Sequence, residues 1–367
     1  MRGQRRARLI LEDGSTFDGW SFGADVSCAG EVVFSTGIAG YPESLTDPSY
    51  RGQILALTYP LIGNYGVPDR SQTNGLLDHF ESERMQVSGL VISTLSRSPS
   101  HWSAVMTLDD WMRAEGVPGI EGVDTRALTQ RLRSRGVMAG RLIPEGCAEE
   151  IEPACAADRL VADVSIREPV LMPSPRSRGV TVGVLDCGVK YNILRLLLER
   201  GADVLRIPWD VDPLGLTPRL DGLLISNGPG DPKDVGRSVE VTRRVMKSGM
   251  PAFGICFGNQ ILALAAGADT YKLPFGHRGQ NQPCIDLETG RCYITSQNHG
   301  YAVDERTLPD GWQPWFRNAN DGTNEGIRHT TKPWRAIQFH PEAHPGPEDL
   351  HGLIDDFIAG LGSDQGS

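Results

Sequence analysis

The stretch "PAFGICFGNQILALAAG", Pro251 to Gly267, runs two kinds of pattern together without a spacer. "PAFGI" is a short apolar run of buried-strand length, and "CFGNQILALAAG" continues it as an apolar helix that closes on glycine. Cys256 stands at the junction, between Gly254 and Gly258. The arrangement is G-x-S-x-G with the serine replaced by cysteine. A sharp turn there lifts the side chain above the sheet, and the glycines let neighbouring elements approach closely. The helix aims its first N–H groups and its positive dipole end at the sulfur, which favours thiolate. The N–H of Phe257 would then point at an oxyanion formed by attack there. A buried structural cysteine is the plainer reading, and it suits the other six cysteines. At Cys256 the context favours a nucleophile.

Outward from this junction, residues 179–367 alternate strand and helix signals. "VTVGVLDCG", "ADVLRIPW" and "DGLLISNGPGDP" read as strands, "VKYNILRLLLERG" and "SVEVTRRVMKSG" as amphipathic helices. That order predicts an α/β fold, a doubly wound and mainly parallel sheet covered by helices, with ligands at the carboxyl ends of its strands. Residues 1–165 read differently, as an α+β domain with strands early and helices late. "RLILEDGSTFDGW" offers a hairpin at Asp13-Gly14, and "EVVFSTG", "GQILALTYP" and "QVSGLVIST" offer further strands. Thr107 and Asp124 are placed to cap "LDDWMRAEG" and "TRALTQRLRSRG", with Gly136 past the end of the second. Between the domains, 166–178 is rich in proline and basic residues and reads as a linker.

A chain of 367 residues accommodates two such domains. The formal charge is −10 and no basic surface is concentrated in the sequence, which argues against a nucleic-acid binder. The basic start "MRGQRRARL" reads as a solvated tail, because the apolar run after it is too short for a signal core. No later run reaches membrane-span length, and the end "GSDQGS" reads as frayed. Seven cysteines with no CxxC pair fit reduced thiols and a cytoplasmic enzyme or enzyme subunit.

A thiol nucleophile needs a base and a group to orient that base. "RAIQFH" ends at His340, and Glu342 follows beyond Pro341. His340 could take and return the proton, with Glu342 holding its tautomer. The same stretch contains His344 and His351, so a zinc site has to be weighed. Pro341 and Pro345 disfavour the regular helix that an H-x-x-x-H pair requires, and the H-E-x-x-H order is lacking, so no metal is expected there. "SNGPGDP" (Ser226–Pro232) follows a strand, and its glycines permit either an anion-binding nest or an ordinary tight turn. "SQNHGYAVD" (Ser296–Asp304) offers Asn298 and Tyr301 to a polar ligand or is simply a turn; His299 there reads as a surface or supporting residue. "SLTDPSY" (Ser44–Tyr50) is also turn-like. With no P-loop and no complete GxGxxG, no nucleotide site is expected in this chain.

"NGPGDP", "FGICFGNQ" and "FHPEAHPGP" together resemble the triad-type (class I) glutamine amidotransferases. "GEVVFSTGIAGYPESLTDPSY", "GVDTRALTQRLRSRG", "GHRGQNQP" and "ITSQNHGYAVDE" resemble one family within that group, the small subunits of carbamoyl phosphate synthetase. The resemblance covers nearly the whole chain. It implies Cys256 as nucleophile, His340 as base and acid, Glu342 as its partner, and N–H groups of Gly230 and Phe257 as oxyanion donors. It places glutamine binding on Ser49, Gly228, Gly230, Phe257, Gln260, Asn298, Gly300 and Tyr301, with Ser49 supplied across a domain interface. It implies a γ-glutamyl thioester, and ammonia passed through a tunnel to a large subunit. That subunit would carry ATP and Mg and make carbamoyl phosphate from bicarbonate for arginine and pyrimidine synthesis. A hetero-oligomer is thus expected, with no cofactor, nucleic acid or membrane bound to this chain. Phe257 and Asn259 depart from the leucine and histidine of many relatives, which bears on the pocket wall. Three other readings stay open, an amidotransferase of another pathway, a non-catalytic assembly subunit and a free-standing cysteine hydrolase.

Overall fold

The computed structural model describes residues 5–153, 156 and 159–361. The first four residues of the basic tail, Cys155 and the end "GSDQGS" lie outside them. The chain forms two compact units that divide after Ala156.

The first unit is built on a closed barrel of seven strands. In spatial order these are Arg6–Leu11, Met138–Pro144, Cys28–Ser35, Gln53–Leu57, Gly89–Val91, Pro118–Glu121 and Thr16–Gly23. Arg6–Leu11 shows how the sequence specifies an inside and an outside: Ala7, Leu9 and Leu11 are buried while Arg6 and Arg8 face solvent. The hairpin turns at Asp13-Gly14 as expected, with Gly14 at φ 80°. Both helix caps also form. The Thr107 hydroxyl accepts from the N–H of Asp110 at 3.1 Å, and the Asp124 carboxylate accepts from Ala127 at 2.9 Å. The order of elements differs from the sequence reading, since Pro118–Glu121 and Met138–Pro144 interleave with the helices Leu108–Glu115 and Thr125–Arg135. Each of those strands carries glycine or proline that reads as a turn, and barrel closure is what makes them strands.

The second unit holds one ten-stranded sheet. Five adjacent strands are parallel, in the order Ala202–Pro208, Val180–Asp186, Gly222–Ile225, Ala252–Ile255 and Trp334–Ile337. Gly222–Ile225 and Ala252–Ile255 are buried at every residue, as expected of parallel strands covered on both faces. The helix Gly236–Ser248 buries Ser238, Val241, Thr242 and Val245, one stripe at helical spacing. The sheet then continues antiparallel through Asn324–His329, Trp312–Asn318, Asp269–Asp286 and Cys292–Asp304. This long ribbon brings residues near position 298 to the carboxyl ends of the parallel strands.

The segment 166–178, expected as a linker, instead contains an edge strand, Val170–Met172, antiparallel to Ala202–Pro208. Ser174 ties it further, donating from its hydroxyl to Leu198 O at 2.7 Å and from its N–H to Asp203 Oδ1 at 2.8 Å. The flanking prolines bar a central strand but suit an edge, where one row of N–H groups needs no partner. The boundary signal in the sequence was therefore an edge signal.

Two glycines set the packing at the Cys256 junction. A Cβ on Gly254 would lie 2.5 Å from Gly258 O, and one on Gly258 would lie 2.0 Å from Ile225 O. Gly258→Ala forces the helix Phe257–Ala266 away from the sheet, an overpacking cost of about 3 kcal/mol. The expected result is a fall in Tm on the order of 6–12 °C for a unit of this size, measured by calorimetry. An unchanged Tm would show that the helix shifts freely.

Candidate active site

Cys256 caps the helix Phe257–Ala266 with φ 55° and ψ −103°. A non-glycine residue at positive φ is uncommon and costs energy, and such residues gather at functional sites whose surroundings hold them in place. Here the Cys256 N–H donates to Ile337 O at 2.8 Å, and its carbonyl accepts from Asn259 at 3.0 Å. The sulfur is buried, donating to Asn298 O at 3.6 Å and accepting from Gln338 Nε2 at 3.7 Å. Phe257 opens the helix, where first-turn N–H groups have no acceptor within the helix.

The strand Trp334–Ile337, parallel to the cysteine strand, delivers His340 to the same edge. The N–H of His340 donates to Ser296 O at 2.8 Å, which pins its backbone to the ribbon strand Cys292–Asp304. Nδ1 of His340 lies 2.5 Å from Glu342 Oε1, and the carboxylate has no solvent exposure. An ionised carboxylate only accepts, so the shared proton sits on Nδ1 and Nε2 is the nitrogen left for chemistry. Nε2 has no hydrogen-bond partner among the described residues, while the charges of His340 and Cys256 act on each other.

Two residues that the sequence reading treated only as the start of a helix complete the arrangement. Lys190 Nζ stands 3.1 Å from Glu342 Oε1 and donates to Ala343 O at 2.8 Å. Asn192 Nδ2 donates to Glu342 O at 2.5 Å. Lys190 thus holds the carboxylate and Asn192 the backbone carbonyl of the same residue, from a helix start some 150 positions upstream. Gln338, also missed, lies two residues before His340. Its Oε1 accepts from Asn259 Nδ2 at 3.0 Å and from Gln260 Nε2 at 3.2 Å, leaving its own Nε2 for the sulfur. Asn259 thus supports Gln338 through its side-chain amide.

Charge runs through the group. Burial opposes the imidazolium form of His340, but the Glu342 carboxylate and then the Cys256 sulfur outweigh it and hold His340 well above its usual value. Burial likewise opposes ionised Glu342, and Lys190 followed by His340 holds it well below the usual carboxylate range. The geometry therefore favours a charged relay of Lys190, Glu342 and His340 beside a thiol.

Of the expected binding residues, Gly228, Gly230, Gln260, Asn298, Gly300 and Tyr301 belong to the same unit as this relay. Gly230 takes φ 89°, and a Cβ on Gly228 would lie 2.3 Å from Cys187 O, so both positions require glycine. Gln260 Nε2 donates to Tyr301 O at 2.9 Å. Ser49 belongs to the first unit, in the turn Pro48–Tyr50, where its N–H donates to Asp47 Oδ1 at 2.9 Å. His299, expected at the surface or in support, is buried. His344 occupies a turn and His351 the approach to the helix Gly352–Leu361.

Comparison with known families agrees with this geometry. Residues 183–359 match the glutamine amidotransferase class-I family, and residues 9–142 match the CPSase domain of the carbamoyl-phosphate synthase small chain. The carbamoyl phosphate synthase arginine-specific small chain of Eremothecium gossypii is 49% identical, over 96% of this chain and 91% of its own. The chain belongs to the carbamoyl-phosphate synthase small chain family. The same-named chain of Aspergillus fumigatus is also 49% identical, over 96% of this chain and 79% of its own. The multifunctional protein pyrABCN of Emericella nidulans is 48% identical over 96% of this chain but only 17% of its own. This small-chain sequence spans about a fifth or less of the multifunctional proteins it matches.

Proposed function

We propose that this chain is the glutaminase subunit of a carbamoyl phosphate synthetase, hydrolysing L-glutamine at Cys256 and passing ammonia to a large synthetase subunit. The observation that carries the reading is the buried constellation at one sheet edge: a cysteine at positive φ, and a histidine whose Nδ1 is held by a carboxylate. The thiolate attacks the side-chain amide carbon, and N–H groups of Phe257 and Gly230 receive the oxyanion. His340, held protonated, donates from Nε2 to the departing nitrogen and ammonia leaves. The neutral imidazole then takes a proton from water, whose oxygen cleaves the γ-glutamyl thioester, returning thiolate, imidazolium and glutamate.

The glutamine-binding roles of Ser49, Gly228, Gln260, Asn298, Gly300 and Tyr301 rest on the family resemblance. The large subunit would carry ATP and Mg, form a hetero-oligomer with this chain in the cytoplasm and supply arginine and pyrimidine synthesis. Six free cysteines among the described residues fit a reducing compartment. No helix of the described residues is long and apolar enough to cross a membrane. The match over residues 9–142 disfavours an amidotransferase of another pathway, and the intact relay disfavours a purely assembling subunit. The test is to combine the chain with its large partner, bicarbonate, ATP and glutamine. Glutamate and carbamoyl phosphate should appear in equal amounts. Glutamate release that the partner and its substrates leave unchanged would point to a free-standing hydrolase.

A further inference from the structure

A second polar cluster lies in the ribbon, outside the catalytic relay. His277 of strand Asp269–Asp286, His299 of strand Cys292–Asp304 and Glu325 of strand Asn324–His329 converge with their ligand-type atoms within 4.8 Å of one another, all buried. His277 Nδ1 is 3.2 Å and His299 Nε2 3.7 Å from Glu325 Oε1. Two donors on one tetrahedral ion at bond lengths near 2.0–2.2 Å lie about 3.4 Å apart, so these separations straddle that spacing.

The outward-facing atoms decide which lone pairs point inward. His277 Nε2 is 2.9 Å from Asp321 Oδ2, and His299 Nδ1 is 2.8 Å from Tyr301 O. Both partners are acceptors, so each ring carries its proton on that outer nitrogen and turns an unprotonated nitrogen into the cluster. Outer partners of this kind, a carboxylate and a backbone carbonyl, are how proteins orient metal-binding histidines. Inside, His299 Nε2 then confronts Gln297 Oε1 at 3.2 Å as well as the Glu325 carboxylate, lone pair against lone pair. The Gln297 amide is fixed that way round because its Nε2 donates to Thr295 Oγ1 at 3.0 Å and Cys284 Sγ at 3.2 Å. Glu325 Oε2 is buried with no hydrogen-bond partner. Asn318 Nδ2 approaches Glu325 Oε1 at 3.4 Å and His277 Nδ1 at 3.5 Å, the long limit of a hydrogen bond.

A protonated His277 would compensate the Glu325 charge as a simple ion pair, but it leaves the facing acceptors at His299 unresolved. Protonating both rings would place two cations with ring centroids 4.9 Å apart and little solvent between them. One divalent cation answers both demands. We propose that His277, His299 and Glu325, with Gln297 Oε1 as a fourth donor, bind one zinc-type divalent transition-metal ion. The donor set of two imidazoles, a carboxylate and an amide oxygen suits zinc or cobalt better than magnesium.

The site would act as a clamp behind the catalytic edge. Next to His299, Asn298 presents its carbonyl to the Cys256 sulfur, and Glu325 O accepts from the Gln338 N–H at 2.8 Å. An ion there fixes three strands that position both groups. The test uses the full chain, purified without a histidine tag, stripped with chelator and titrated with Co2+ and then Zn2+. About one ion per chain should bind, Co2+ should give the visible absorption of a low-coordinate site, and Zn2+ should displace it. Glu325→Gln, which keeps the shape of the side chain, and His277→Gln should each weaken binding at least about tenfold, whereas His344→Ala should not. Circular dichroism confirms that the variants are folded, and a rise in wild-type Tm on adding Zn2+ provides a reading that needs no variant. Absence of saturable binding and of any Tm rise in the wild type overturns the assignment. So does undiminished binding by folded Glu325→Gln.

Discussion

Cys256→Ser should reduce glutamine-dependent synthesis by at least about 10³-fold while ammonia-dependent synthesis by the assembled enzyme survives. The size of the loss follows from the charge on His340. A serine hydroxyl needs a neutral imidazole to remove its proton, yet the Glu342 carboxylate and the Cys256 sulfur hold His340 well above its usual value, against the opposing effect of burial. The site thus sets a proton donor beside the sulfur, and a hydroxyl in the same place would face an imidazolium with no base to remove its proton. Contact lengths work the same way. Asn298 O and Gln338 Nε2 stand 3.6 Å and 3.7 Å from the sulfur, distances suited to sulfur and too long for oxygen. The substitution is nearly isosteric, so folding and partner binding should persist, and that is why ammonia is the informative control. Equal loss of both activities would mean that the chain had been damaged, or that Cys256 is not the nucleophile.

The legible parts of this molecule were those whose cause is local. Gly254 and Gly258 flank Cys256 because a strand and a helix touch backbone to backbone, and that demand shows as spacing. Thr107 and Asp124 cap helices through bonds spanning three residues, so their role is also written nearby. The illegible parts depend on closure over long separations. Lys190 and Asn192 read as ordinary helix-start residues, and only the sheet places them against Glu342 and Ala343. Gln338 read as an interior strand position, although its amide links Asn259 and Gln260 to the sulfur. The expected linker failed for a related reason. Proline-flanked Val170–Met172 has no local partner and becomes a strand only because Ala202–Pro208 offers a free edge. In the same way "GHRGQNQP" and "ITSQNHGYAVDE" carried family resemblance in the sequence, but the convergence of His277 and His299 on Glu325 belongs to the ribbon's pairing alone.

Glu342→Gln tests the relay through pH as well as rate. Glutamine keeps an oxygen for His340 Nδ1–H, so the ring should stay in place and KM for glutamine should change little. The stabilisation of the imidazolium is what disappears, and kcat should fall by about 10²–10⁴-fold. His340 lies above its usual value of 6.5 because Glu342 and then Cys256 outweigh the penalty of burial. Activity that requires its proton is therefore lost only as pH rises through that elevated value. In the variant the alkaline limb of kcat should move down toward neutrality. Stability should change with the opposite limbs in view. The raised His340 contributes stability that is complete below about 6.5 and declines as pH rises through its folded value. The lowered Glu342 contributes stability that is complete above about 4.5 and is lost as pH falls through its folded value. The gap between wild type and variant should then be widest between these two pH values and narrow on both sides, as read from denaturant unfolding. With Lys190 buried beside a neutral amide, the variant should be less stable by up to about 3 kcal/mol at the widest point. An alkaline limb that stays in place while kcat falls would show that Glu342 orients His340 without sustaining its charge. An unchanged kcat would remove Glu342 from the relay altogether.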